Sequence, residues 1–199
     1  MAVPAKNIHE LYVAYWGRAA DPDGLAYWLA ESQKKGVTLE VIAKSFSDQV
    51  EATGQYRLLN DPALVASAAE REDFLTDVYQ NLFGRSPDVD GLNYWVNQLD
   101  SGKVTIGNAA NTIQKGAQGT DKSIIENKVL AATAFTTALD TTAEIVGYAG
   151  ASSATLGQVK AWLSTVTDTS TSLEAAKTGL TALTGSLAGG TNEAGTTYV

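Results

Sequence analysis

The chain has no cysteine and a single histidine, His9, in 199 residues. Without sulfur there is no disulfide framework, no thiolate nucleophile and no zinc or iron–sulfur site built on thiolates. One imidazole cannot make a multi-histidine metal site. Basic residues are also scarce. Fourteen Lys and Arg stand against 22 Asp and Glu, for a formal charge of −8. With no Lys/Arg cluster, nucleic acid is excluded as a partner, because phosphate contact needs positive charge. No apolar run approaches the ~18 residues of a membrane span. Residues Met1–Glu10 lack the basic start and apolar stretch of a secretory signal. That leaves the cytoplasm, or export by a route that reads another part of the protein. Neither a G-x-S-x-G nucleophile turn nor a phosphate-binding G-x-x-x-x-G-K-[ST] loop occurs.

What is present is ordinary in bulk and uneven in placement. The apolar fraction is 44% and the charged fraction 18%, below the usual ~25%. The length suits one or two domains with a real core. Residues 1–100 carry a net −7 and residues 101–199 a net −1, and three of the four Trp and six of the eight Tyr lie in the first half. The second half is plainer, rich in Ala, Thr, Gly and Ser.

The first half contains a repeat. A shift of 67 residues aligns Ile8–Thr38 with Leu75–Thr105 without a gap, and 11 of the 31 pairs are identical. The centre reads G-R-A-A-D-P-D-G-L-A-Y-W at Gly17–Trp28 and G-R-S-P-D-V-D-G-L-N-Y-W at Gly84–Trp95. Before each centre, apolar residues recur at helical spacing: Ile8, Leu11, Tyr12, Tyr15, Trp16, then Leu75, Val78, Tyr79, Leu82, Phe83. Gly17 and Gly84 follow where a helix would end in the left-handed conformation. The next helix is expected near Gly24 or Gly91, with an Asp beside its free N–H groups. No segment alternates with the period of a strand. Helices are expected near 5–16, 24–35, 39–53, 62–83, 91–100, 106–117, 122–146, 156–166 and 171–187. The fold class is therefore all-α: a multi-helix bundle of two related repeats (about 8–53 and 75–117, within 1–120), then C-terminal helices (121–187) and a linker or tail (188–199).

The doubled D-x-D-G is the sharpest chemical candidate. Paired carboxylates before a Gly resemble the middle of an EF-hand loop. In that register, however, positions one and twelve are Ala19 and Ala30 in one copy and Ser86 and Asn97 in the other, so an EF-hand is rejected. Two readings remain for Asp21, Asp23, Asp88 and Asp90. They are ligands of a simpler calcium site, or one Asp of each pair caps the helix while the other pairs with Arg18 or Arg85. The aromatic residues admit two readings as well. Flat rings beside Asp, Asn and Arg suit the apolar face and hydroxylated rim of a sugar. Helical spacing assigns Tyr12, Trp16, Trp28, Tyr79 and Trp95 to the core instead, and leaves Tyr15, Tyr27 and Tyr94 as the surface candidates. A repeated structural motif is a poor host for one asymmetric active site, so paired carboxylates for glycoside hydrolysis rank last.

The pattern L-Y-x5-R-x-x-D-x-x-G-L-x-Y-W, at Leu11–Trp28 and with Val for Leu at Val78–Trp95, resembles a bacterial domain of unknown function. That domain is often found in tandem in proteins exported by type I secretion. The segment Lys115–Asp121, Asn127-Lys-Val and Ala132–Leu139 look like its continuation. Thr196-Thr-Tyr-Val199 looks like the passage into the β-rich region of S-layer and RTX-type proteins. The resemblance implies a C-terminal export signal, an extracellular, cell-surface location, and non-enzymatic attachment of an S-layer to lipopolysaccharide with calcium in support. Carried over by position, Asp21, Asp23, Asp88 and Asp90 become calcium or polar ligands, and Arg18, Tyr27, Arg85 and Tyr94 become glycan contacts. The expected function is thus anchoring to surface polysaccharide, with self-association in a lattice through a fuller-length chain. A protein–protein assembly module is the alternative, and a polysaccharide-processing enzyme the remote one.

Overall fold

The first helix has almost no side that faces water. In α1 (Ala5–Trp16) every residue from Ile8 to Trp16 is buried, because only His9 and Glu10 interrupt that apolar stretch. A helix apolar on nearly all sides must be surrounded. Gly17 ends it at φ 65°, its N–H bonded to Val13 O, a conformation that glycine adopts without a Cβ clash.

The structure is a computed structural model that describes residues 2–49, 59 and 68–188. Among them are eleven helices and no strand. After α1 come α2 (Pro22–Glu31), α3 (Leu39–Ser47), α4 (Ala68–Phe83), α5 (Val89–Asp100) and α6 (Ile106–Gly116). Then follow α7 (Gly119–Ala138), α8 (Thr142–Ala149), α9 (Ser153–Ser164), α10 (Ser170–Thr178) and α11 (Leu180–Leu187). Helix α1 is wrapped by α2, α3, α4, α6 and α7, and α3 lies on α6. Each of α1 and α3 thus packs against its own counterpart in the second repeat. Helix α7 also touches α4, α9, α10 and α11, so one apolar cluster runs from Val3 to Leu187.

An aromatic knot fastens the first repeat. Phe46 of α3 stacks on Trp16 at 4.8 Å between ring centres. It meets Trp28 at 4.6 Å and the edge of Tyr12 at 5.1 Å. Such pairs add roughly 0.5–1.5 kcal/mol each beyond the area they bury. Tyr15, a surface candidate by spacing, is instead wholly buried, its hydroxyl donating to Gly107 O at 2.5 Å. Burial pushes its phenol well above the ordinary range. Helical spacing placed Tyr15 at the flank of one face; the covering of α1 by α6 makes that flank interior.

Helix boundaries follow the capping groups. Helix α2 begins at Pro22 and α5 at Val89, two residues ahead of expectation, because Asp21 and Asp88 are the caps. The expected helix over 122–146 is two. Its threonines back-bond within α7, Thr133 to Val129 O, Thr136 to Ala132 O and Thr137 to Thr133 O. Leu139 then leaves helical geometry, and Thr141 with Glu144 forms a reciprocal capping box that starts α8. The helix over 171–187 is likewise broken at Gly179. The expected tail 188–199 falls, apart from Ala188, outside the described residues. So do the end of the helix toward 53 and the start of the one from 62.

His9 is buried, and its Nδ1 has no hydrogen-bond partner among the described residues. Burial lowers its pKa from 6.5 to about 4. Between those values the unfolded chain binds a proton that the folded chain refuses, so stability falls as pH drops from 6.5 to 4. Urea midpoints measured across that range should fall in the native protein and fall less steeply in His9→Leu. Parallel slopes would show that His9 does not carry the effect.

Candidate functional site

The two D-x-D-G turns share one local construction. Asp21 is extended at φ −76°, and its Oδ1 accepts the Gly24 N–H at 2.7 Å. Asp88 does the same for Gly91, also at 2.7 Å. One carboxylate of each pair is therefore a helix cap. Asp23 and Asp90 lie exposed in the first helical turn, where the positive end of the helix dipole favours a negative charge. Neither of them pairs with the neighbouring arginine in the way the sequence suggested.

Those arginines have opposite surroundings. Arg18 is 8% exposed. Its guanidinium lies 5.2 Å from the Tyr12 ring centre, 5.1 Å from Trp16 and 5.7 Å from Tyr148. It donates to Ala19 O at 2.9 Å and to the Tyr148 hydroxyl at 3.4 Å, and Tyr148 itself donates to Ala19 O at 2.7 Å. Arg85 is in the open. It sits over Tyr79 and Phe83 at 5.5 and 5.6 Å and pairs with Asp121 at 2.6 Å. The first turn is roofed by α8; the second faces solvent.

The roofed turn opens onto a cavity of about 460 Å³ lined by Tyr12, Trp16, Arg18, Asp23, Tyr27, Trp28 and Gln49. Tyr27 is 56% exposed and stands edge-on to Trp28, 5.0 Å between centres. Trp16 is buried, and its indole N–H has no hydrogen-bond partner among the described residues. A buried N–H without an acceptor is an uncompensated donor. Three of the sequence candidates, Arg18, Asp23 and Tyr27, converge here. Asp21 stays in its cap behind them.

Their counterparts are arranged differently. Tyr94 is 55% exposed and edge-on to Trp95 at 5.0 Å, the same corner as Tyr27–Trp28. Yet the Trp95 N–H is already bonded to the Tyr79 hydroxyl at 2.8 Å, and both rings are half-buried. Arg85, Asp88, Asp90 and Tyr94 thus share an exposed turn with its donors engaged. Gln49 and the orphaned N–H of Trp16 were missed by sequence reading, since Gln49 lies outside the repeated segment and Trp16 reads as plain core.

Among the described residues no three Asp, Glu or His side chains gather as a metal site. Each turn offers two carboxylates, one partly committed to its cap. Calcium takes six to eight oxygens, so the turns alone do not enclose it.

Residues 63–115 match the family model described as a domain of unknown function, DUF4214. The match covers just over a quarter of the chain and contains the second turn. No curated protein and no solved structure matches the chain.

Cap and ligand roles separate by mutation. Asp21→Ala and Asp88→Ala should each lower stability by about 1 kcal/mol. Asp23→Asn and Asp90→Asn should change it by less than about 0.5 kcal/mol. Thermal unfolding measures both. Gly24 gives a sharper contrast. A Cβ there would run into the Tyr12 hydroxyl and lie 2.7 Å from an Asp21 carboxylate oxygen, whereas one on Gly91 would have 3.1 Å and 3.7 Å to Asp88 and Tyr79. Gly24→Ala should cost about 1–3 kcal/mol, and Gly91→Ala should be near neutral, because alanine's higher helix propensity offsets the mild crowding.

Proposed function

We propose that the chain binds cell-surface polysaccharide without chemical reaction, through the aromatic cavity of its first repeat. The observation that carries this reading is the cavity's lining. The exposed Tyr27 ring offers an apolar platform for the C–H face of a sugar. Around it stand a carboxylate acceptor (Asp23), an amide (Gln49) and a guanidinium (Arg18), groups that suit a rim of hydroxyls. The Tyr94–Trp95 corner is a shallower second contact, and two like platforms on one chain suit a polymer of repeating units. Arg85 lies on that second turn and would meet the glycan from its exposed side.

The biological setting follows from the resemblance of the repeated motif to helical domains of exported surface proteins. The chain would act as an anchoring region of an S-layer or RTX-like protein at the cell surface, with lipopolysaccharide as the polysaccharide and lattice assembly left to a longer chain. Calcium, if part of binding, would bridge Asp23 or Asp90 to an anionic sugar whose own oxygens complete its shell. The net −7 of residues 1–100 is the charge such a bridge would neutralise.

Calorimetric titration with purified lipopolysaccharide tests the reading. Tyr27→Ala should weaken binding by about two- to tenfold, the loss of one aromatic stacking contact, and Tyr94→Ala by less. Undiminished binding by Tyr27→Ala would remove the cavity from the account. Repeating the titration with excess chelator tests the calcium bridge, which fails if the affinity stays the same. Concentration-dependent association with no glycan present, and no glycan binding, would favour the assembly module.

A further inference from the structure

A second cavity, about 260 Å³ and with a different lining, opens where the two equivalent helices α1 and α4 end. Their C-terminal glycines, Gly17 and Gly84, both line it, together with Asn81, Lys128 and Lys160. Lys128 comes from the apolar face of α7, where it falls in register with Ile125, Val129 and Ala132, and it is 1% exposed. Its ammonium donates to Asn81 O at 2.6 Å; among the described residues no other acceptor takes its remaining protons. Lys160 of α9 reaches the same space and has no ion pair among the described residues. The described lining includes no carboxylate.

Two positive charges are thus confined with little to balance them. The C-terminal ends of α1 and α4 each present roughly half a negative charge, which offsets about one ammonium. Asn81 supplies no charge: its amide N–H donates to Ala14 O at 3.2 Å, which ties α4 to α1, and its Oδ1, a neutral acceptor, lies against Gly17 near the Lys160 stem. Burial, with the Lys160 charge adding to it, lowers the Lys128 pKa to about 8. A lysine used only to fill space would be better replaced by an aliphatic residue at that position, since an uncompensated buried charge is expensive.

We propose that this cavity is an anion site that takes a phosphate group between Lys128 and Lys160. A phosphate supplies the acceptors that the remaining ammonium protons lack, in a charge-assisted bond to each lysine. The space well exceeds the ~30 Å³ share of one water, so it admits a phosphate together with part of what carries it. In a chain of net charge −8, long-range attraction for anions is absent, and the site works by local contact alone. It is separate from the aromatic cavity and does not depend on the polysaccharide reading.

The test is calorimetric titration with inorganic phosphate and with glucose 1-phosphate, in buffers matched in ionic strength with chloride. Native protein should bind saturably, and the Lys128 titration midpoint, followed by NMR, should rise from about 8. Lys160→Met, at the half-buried edge of the cavity, should fold normally and bind phosphate about tenfold more weakly or worse, the effect of losing one hydrogen bond between charged groups. Tighter binding of glucose 1-phosphate would identify a phosphorylated sugar as the source, and tighter binding of the free ion would identify inorganic phosphate; either outcome supports the site. No saturable binding beyond the chloride control, or equal affinity in Lys160→Met, overturns it. Tyr27→Ala should leave phosphate binding unchanged, which separates failure here from failure of the polysaccharide reading.

Discussion

The Arg18 guanidinium stands at the end of α1 between three aromatic rings, with Ala19 O and the Tyr148 hydroxyl as acceptors. That arrangement joins the first repeat to α8, more than a hundred residues later in the chain. It also makes the first turn an interior feature. A buried guanidinium requires acceptors and polarisable faces around it, and those among the described residues include Tyr12 and Trp16 of α1, Ala19 O just beyond its end, and Tyr148. Phe135 packs edge-on against that tyrosine at 4.9 Å and so ties it to α7. Through Tyr148, α8 is thus held to the turn that follows α1 and, by Phe135, to α7.

The two repeats show how little of an environment is decided locally. Asp21 and Asp88 cap their helices with the same bond at the same distance. The Tyr–Trp corners have the same separation and nearly the same angle, 77° and 79°. Those features belong to the turn and travel with it. What differs is what lies on top. Tyr148 of α8 covers the first turn, whereas Asp121 reaches the second from its edge. Identical arginines therefore become, in one copy, part of the core and, in the other, half of a surface ion pair. The Trp residues diverge too: Trp95 donates to Tyr79, whereas its counterpart Trp28 lines the cavity beside Trp16, whose own counterpart is Phe83.

Legibility in the sequence follows the same division. The all-α class, the positions of most helices, the glycine ends at Gly17 and Gly84 and the exposure of Tyr27 and Tyr94 all follow from spacing and capping chemistry, which act over a few residues. The burial of Tyr15, the split of α7 from α8 and the stacking of Arg18 do not, because each depends on a partner far along the chain. Lys128 lies between these cases. Its place on the apolar face of α7 is visible as a charge in a hydrophobic stripe, but the meeting with Lys160 and the two helix ends is not. The candidate glycan contacts and the carboxylate candidates divided likewise. Arg18, Asp23 and Tyr27 come together around one cavity, whereas Arg85 and Tyr94 share a turn that has no comparable hollow among those described.

The account depends on the first turn being the binding copy and the second its exposed, self-satisfied relative. The indole N–H signals of the four tryptophans report on this directly. Trp95 is bonded to Tyr79, and Trp162 to Ala176 O at 3.1 Å; the Trp16 N–H has no hydrogen-bond partner among the described residues, and Trp16 and Trp28 line the same cavity. In an NMR titration with purified lipopolysaccharide polysaccharide, the Trp16 and Trp28 signals should move in a saturable way while Trp162 stays fixed and Trp95 shifts only slightly. Movement confined to Trp95, or no movement of Trp16 at saturation, would contradict the account.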